Sequence, residues 1–307
     1  MNCWNILVTL QMIDRYSILD PIARNNTKYK HLKTEENPSP ILNIFRLISG
    51  TVNIKDNYIG TTYKIRDNNI KFPTEKNIKI KYETLLELFD ENVTLADLNN
   101  FFLKARLNKK FYRSIEVELI KSLIAYKDEK YLESFIYLYR IIEGISYSIP
   151  LIFVSKKDDY NKTYHDMQSY FGKDKDGELQ FFKRFVSETF KDEDFYKSNI
   201  TIDLQLVDIE ELRPKYYDLY LKKINERFIL DKAENSYIKV KFIGYYDLLI
   251  ELRNRFFHNL KGTWQENFES TELLFPDQFF KPITLHGINW LSIILFEIIK
   301  FDLQKIK

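Results

Sequence analysis

The sequence predicts a mainly α protein: a helical bundle with a small N-terminal accessory region, residues 1–100, and an inserted segment at about residues 155–241. Three observations lead there. From about residue 82 onward, long windows repeat apolar residues at i, i+3, i+4 and i+7, the spacing of one helix face. Glycine and proline are scarce, eight each in 307 residues, which disfavours a turn-rich all-β fold and long flexible linkers. One stretch, residues 51–72, changes to strand-like alternation and predicts a short β-hairpin or meander inside the accessory region.

In chain order, residues 4–16 carry Ile6, Leu7, Leu10 and Ile13 at helical spacing and predict a short core-packed helix. Residues 20–40 read as a loop, through ARNN, KTEE and NPSP in succession. Residues 41–49 are apolar and predict a helix. Three short runs, 51–54, 58–65 and 69–72, predict the meander, closed by Pro73. Residues 82–90 predict a helix. Thr94 begins the next, with Asp97 in the acid position of a capping box. Residues 114–126 and 128–150 predict two longer helices. In the second, Leu132, Phe135, Ile136, Tyr139, Ile142 and Ser146 form the inward stripe, and Pro150 ends or kinks it.

The insertion opens polar and then predicts a helix at 178–190 and one strand at 200–206. A further helix at 215–228 follows, with Pro214 at its first position. Residues 264–281 read as irregular. A final helix at 285–304 is expected to pack on the 128–150 helix and on the helix at 244–261, completing a bundle of four main helices.

Composition bounds the function. The net charge is +2 and charged residues make up 29%, so a global basic surface for nucleic acid is absent and any RNA contact is local. The single cysteine, Cys3, excludes an internal disulfide and a cysteine zinc site. The N-terminus lacks a basic region before its apolar run and meets Asp14 and Arg15 early, unlike a signal peptide. The most apolar run, residues 288–299, is broken by Asn289, Ser292 and Glu297 and is short for a bilayer. The expectation is a cytoplasmic protein with no membrane association. Phosphate-binding glycine loops, the G-x-S-x-G elbow and H-E-x-x-H are all missing, so no metal or cofactor is expected.

The chemistry concentrates at residues 244–261, GYYDLLIELRNRFFHNLK. Tyr245, Leu248, Leu249, Leu252 and Phe256 form one apolar stripe, and Asp247, Glu251, Asn254 and His258 line the opposite one. Arg253 precedes Asn254. An imidazole moves protons near neutral pH, and a guanidinium binds phosphate bidentately. A second spacing of this kind, Arg24-Asn25 to His31, lies in a polar stretch without an apolar face.

Arg253-Asn254-x-x-x-His258 resembles the R-N-x-x-x-H motif of the HEPN superfamily, all-α domains that include metal-independent ribonucleases of toxin–antitoxin and phage-defence systems. The resemblance covers this motif and the helical pattern of roughly the C-terminal two thirds of the chain. It implies an HEPN-like bundle, a homodimer with two motifs lining one groove, and catalytic roles for Arg253, Asn254 and His258. Residues 131–146 look like the second long helix of many HEPN domains, which implies supporting roles for Arg140 and Glu143. The alternative for that pair is an i, i+3 ion pair on the helix surface. Arg255 and Lys261 are candidates for further phosphate contacts, or else ordinary surface cations.

The expected reaction is attack of the RNA 2′-OH on the adjacent phosphate, leaving a 2′,3′-cyclic phosphate and a 5′-OH. RNA is the expected substrate, with an antitoxin or a phage component as a controlling partner. On an ideal helix Arg253 and His258 point roughly 140° apart, so the Arg chain must curl round or the helix must end near His258. The competing expectations are a non-catalytic HEPN-like module that binds RNA or protein, and a structural helical protein.

Overall fold

The computed structural model describes residues 14–22, 26–71, 79–104, 108–155, 159–170, 177–257, 268 and 271–306. Helices dominate, with two small antiparallel sheets. The expected helix at 4–16 lies almost wholly outside the described residues, and Arg24, Asn25, His258 and Lys261 lie outside them too.

The chain enters through β1 (Tyr16–Leu19), continues to α1 (Pro40–Ile48), and returns as β2 (Val52–Asp56) and β3 (Thr62–Ile65). The first sheet has the order β1-β2-β3, with Ile18 opposite Ile54 and Ile54 opposite Tyr63. Two corrections apply here. Residues 16–19 form a strand where the sequence reading has only the end of a helix at Tyr16 and no element over 17–19; four residues are too few to display a period. Residues 69–71 are not a third strand. The Asn69 amide instead bonds the Ile48 carbonyl at 2.8 Å, tying that turn to the end of α1.

Proline at the first turn starts α1 without sacrificing a backbone bond. The helix stops at Gly50, φ +70°. There the Thr51 amide reaches the Arg46 carbonyl and the Gly50 amide reaches that of Leu47, both at 3.1 Å, a Schellman closure. A Cβ at Gly50 would stand 2.4 Å from the Asp67 carbonyl oxygen. Gly50→Ala therefore combines left-handed strain with a backbone clash. It is expected to lower unfolding stability by roughly 2–4 kcal/mol, measured as a fall in the urea midpoint without a change in slope.

Residues 82–88 (Tyr82–Leu88) form a 3₁₀ segment, not the expected α-helix. The Thr94 capping box forms as read, with the Thr94 amide on Asp97 Oδ2 at 2.8 Å and the Asp97 amide on Thr94 Oγ1 at 3.2 Å. It opens α2 (Leu95–Lys104). Then come α3 (Lys109–Lys127) and α4 (Tyr131–Ser155), packed together through reciprocal hydrogen bonds between Ser122 and Ser134. Pro150 lies inside α4 and does not end it.

The segment after α4 holds more structure than its polar sequence suggests. α5 (Tyr160–Tyr170), α6 (Glu178–Phe190) and the single turn α7 (Asp194–Lys197) precede β4 (Asn199–Asp203), α8 (Arg213–Lys223), β5 (Ile229–Ala233) and β6 (Tyr237–Lys241). The second sheet has the order β4-β6-β5. The expected strand at 200–206 is β4, cut short at Asp203. β5 escapes the sequence reading because its middle three residues, Leu230, Asp231 and Lys232, are all exposed. A turn with Asn235 at φ 58° joins β5 to β6.

The last two helices are α9 (Phe242–Phe257) and α10 (Pro276–Ile306). α10 starts at Pro276, inside the stretch read as irregular, and runs through Pro282; a proline that would normally stop a helix concealed its first turns. α4 and α10 are both long and apolar enough to cross a membrane, and the most apolar window of α10 is 83% buried in the fold against 50% for α4.

Buried residues form one cluster from α1 to α10. Phe296 of α10 meets Phe89 at 5.1 Å and Phe45 of α1 at 6.2 Å between ring centres, so the N-terminal elements share the core of the long helices. α4 approaches α10 at Gly287, where a Cβ would strike Leu138 at 2.4 Å.

One carboxylate in that core is poorly matched to its charge. Glu116 of α3 is buried; it accepts from Asn43 Nδ2 at 3.0 Å and from Arg113 at 2.6 Å, while its Oε2 and Asn43 Oδ1 have no bond among the described residues. Burial pushes its pKa up, against the opposing pull of Arg113 and Asn43. A carboxyl raised on folding contributes stability below its unfolded pKa, and that contribution is lost as pH rises through the folded value. Glu116→Gln is neutral and supplies an N–H for Asn43. It is expected to stabilise the protein at pH 7.5 by about 0.5–1.5 kcal/mol, with the gain vanishing by pH 4, as read from paired melting curves.

Candidate functional site

α9 is fixed by what its apolar side must reach. Tyr245, Leu248, Leu249 and Leu252 are buried, as the stripe predicts, and Tyr246 and Ile250 widen the buried face. The Tyr245 hydroxyl donates to the Ile283 carbonyl of α10, and Tyr246 stacks on Trp290 at 4.9 Å. Gly244 permits a close approach to Phe228, whose Cβ an added methyl would meet at 2.3 Å. The opposite stripe is engaged too. Asp247 pairs with Lys183 of α6 at 2.5 Å, and Glu251 with Arg255 at 2.6 Å.

Arg253 sits where α9 faces α4. Its Nη2 donates to Glu143 Oε1 at 2.7 Å and its Nη1 to Asn254 Oδ1 at 3.0 Å. The guanidinium lies 4.9 Å from the centre of the Tyr139 ring, one turn before Glu143 on α4. Charge pairing and ring stacking thus hold one cation across two helices. Burial pushes the Tyr139 phenol well up; Arg253 pulls it back and the Glu143 carboxylate adds to the rise. Tyr139 therefore stays a neutral phenol at physiological pH.

Of the residues singled out in the sequence, Arg253, Asn254 and Glu143 come together. Arg140 does not join them. It pairs with Glu118 of α3 at 3.1 Å, so the alternative of an Arg140–Glu143 surface pair is not what forms. Arg255 is held by Glu251 with its side chain only 15% exposed, a covered cation and not an outward one. His258 and Lys261 lie outside the described residues. Of the other histidines, His286 is partly buried and packs edge-on against Tyr245; desolvation drives its pKa down to about 4, so its ring is uncharged at neutral pH.

A pocket of about 440 Å³ opens beside the guanidinium cluster. Glu143, Gly177, Glu178, Leu179, Gln180, Ile250 and Asn254 line it. α6 supplies its far wall, anchored by the Tyr246 hydroxyl on the Leu179 carbonyl at 3.1 Å. Sequence reasoning reads Tyr139 only as core and does not single out Glu178 or Gln180. Their part depends on contacts between α4, α6 and α9, which are distant in sequence, and no spacing in the sequence signals those. No family model, no curated protein and no solved structure matches the chain.

Proposed function

We propose that this chain is a metal-independent, HEPN-like endoribonuclease that cuts RNA by 2′-OH attack, leaving a 2′,3′-cyclic phosphate and a 5′-OH. The observation that supports this best is the anchoring of Arg253 by Glu143, Tyr139 and Asn254 at the edge of an open pocket. Arg253 binds the scissile phosphate and the charge that develops on it. His258 moves the proton, as base on the 2′-OH and acid on the leaving 5′-oxygen, the two roles shared between protomers of a homodimer. Asn254 fixes the imidazole or a phosphate oxygen. Glu143 is a positioning residue acting through Arg253. We place the activity in a cytoplasmic toxin-like or anti-phage setting, with an antitoxin or phage component as its control.

The test is incubation of the full chain with tRNA in excess chelator, with product ends identified chemically. Cyclic phosphate ends are expected, with His258→Ala slowing cleavage by about 10²–10⁴-fold. Equal rates in wild type and variant refute the assignment. A second reading, a non-catalytic module binding RNA or protein, draws on the same ion pair: at 2.7 Å, Glu143 already neutralises Arg253. Salt-dependent RNA binding without cleavage would favour it.

A further inference from the structure

The described lining of the pocket beside Arg253 is poorly matched to phosphate. Among the described residues that line it, the polar side chains are two carboxylates and two amides, and none is a cation. An anion entering it would meet Glu143 and Glu178 at the price of repulsion. The lining suits instead a flat, uncharged group rich in donors. Ile250 and Leu179 supply apolar surface for a ring face. Tyr147, on α4 one turn beyond Glu143, lies outside this lining but close by: its ring is 45% exposed and sits 6.1 Å from that of Phe181, on α6 one residue beyond Gln180. Desolvation first, and then the nearby Glu178 carboxylate, push its phenol pKa up. An exposed aromatic next to a hydrogen-bonding pocket is how proteins hold an unstacked RNA base.

The polar groups discriminate among bases. Glu178 is exposed at the first position of α6, and an ionised carboxylate only accepts, through two parallel oxygens. Guanine alone presents two adjacent donors on its Watson–Crick edge, N1–H and N2–H₂, next to the O6 acceptor. Adenine and cytosine each offer one amino donor there, and uracil one N–H flanked by two acceptors that a carboxylate repels. Asn254, which lines the same pocket, keeps its Nδ2 donors for other partners. Arg253 carries only donors, so the Asn254 oxygen must face it, and the Nδ2 side is directed away from Arg253.

We infer that this pocket is a nucleobase subsite selective for guanine, with the Glu178 carboxylate on N1–H and N2–H₂, an amide N–H of Asn254 or Gln180 on O6, and Tyr147 as a ring platform. The inference rests on the nuclease reading in one respect only, that the base held here belongs to a nucleotide flanking the phosphate on Arg253. Binding and cleavage are tested separately. The full chain is titrated with 5′-GMP, AMP, CMP and UMP by calorimetry, beside Glu178→Gln and Tyr147→Ala. GMP is expected to bind at least tenfold tighter than the other three, Glu178→Gln to remove that preference, and Tyr147→Ala to weaken all binding without changing the order.

In parallel, cut sites are mapped on a defined RNA in chelator. Cuts beside guanosine in wild type, redistributed over all bases in Glu178→Gln, support the subsite. Equal affinities for the four nucleotides, no nucleotide binding, or a guanosine preference that survives Glu178→Gln overturn it. Cleavage without base preference overturns the subsite and leaves the nuclease reading standing. Guanine-selective binding without cleavage does the reverse.

Discussion

Asp20→Ala is expected to cost about 3–5 kcal/mol of folding stability, the loss seen when one partner of a buried ion pair is removed. Arg46 is fully enclosed, yet its donors are all used. Nη1 reaches Asp20 Oδ2 at 3.0 Å and the Leu32 carbonyl at 2.5 Å; Nη2 reaches Asp20 Oδ1 at 3.1 Å and the Thr51 carbonyl at 2.7 Å; Nε reaches Thr51 Oγ1 at 2.7 Å. Burial pulls the guanidinium pKa down, and Asp20 opposes that. The same carboxylate accepts the Ile22 and Thr34 amides, each at 2.9 Å. Without Asp20 a buried charge and two backbone N–H groups lose their partner together. Arg46→Met with Asp20→Ala is expected to cost less than the sum of the two single changes, because no unpaired charge then remains. Urea unfolding of the four proteins in the cycle measures this coupling; additive losses would show that Asp20 and Arg46 contribute independently.

Arg253→Ala is expected to reduce RNA cleavage by about 10²–10³-fold, the scale for removing a preorganised donor to a developing oxyanion. The fold should barely notice. The side chain is 22% exposed and Glu143 40%, so the pair itself contributes at most about 1 kcal/mol. Arg253→Lys is the sharper variant, because it keeps the charge and loses both the fork geometry and the stacking on Tyr139. It should retain the melting temperature and most RNA binding while losing most of the single-turnover rate. Glu143→Gln should separate positioning from chemistry: RNA binds more tightly once the competing carboxylate is neutral, and the rate falls because the guanidinium is less firmly placed. A rate unchanged in Arg253→Lys would reduce the role of Arg253 to generic charge.

Much of this architecture is legible because helices declare themselves over many residues. The helices read at 114–126 and 128–150 and the buried line Tyr245–Leu248–Leu249–Leu252 appear in the structure, but the buried face of α4 is shifted from the stripe read there: Phe135, Tyr139, Ile142 and Ser146 are buried, Leu132 and Ile136 only partly, and Leu138, Ile141 and Ile145 join the buried side. β1, β5 and the start of α10 are harder. Two are strands of four or five residues with partly or largely exposed patterns, and the third begins with two prolines within seven residues. At the site, Arg253 and Asn254 are marked by their own spacing, whereas Glu143 is singled out only through the family resemblance of residues 131–146. The pocket wall from α6 is not legible at all, since it depends on how Lys183 pairs with Asp247 and how Phe182 packs on Tyr246.

The placement of Phe296 bears on the order in which the chain matures during synthesis. α1 and the 3₁₀ segment emerge early, but the ring against which Phe45 and Phe89 close belongs to the element that follows every other described one. Contacts of such long sequence separation form slowly. A nascent chain released only as far as α9 would leave the α10-facing side of those phenylalanines uncovered, a surface that invites chaperones, though Phe45 still meets Phe102 and Phe89. Completion of the fold is thus deferred until α10 has cleared the ribosome.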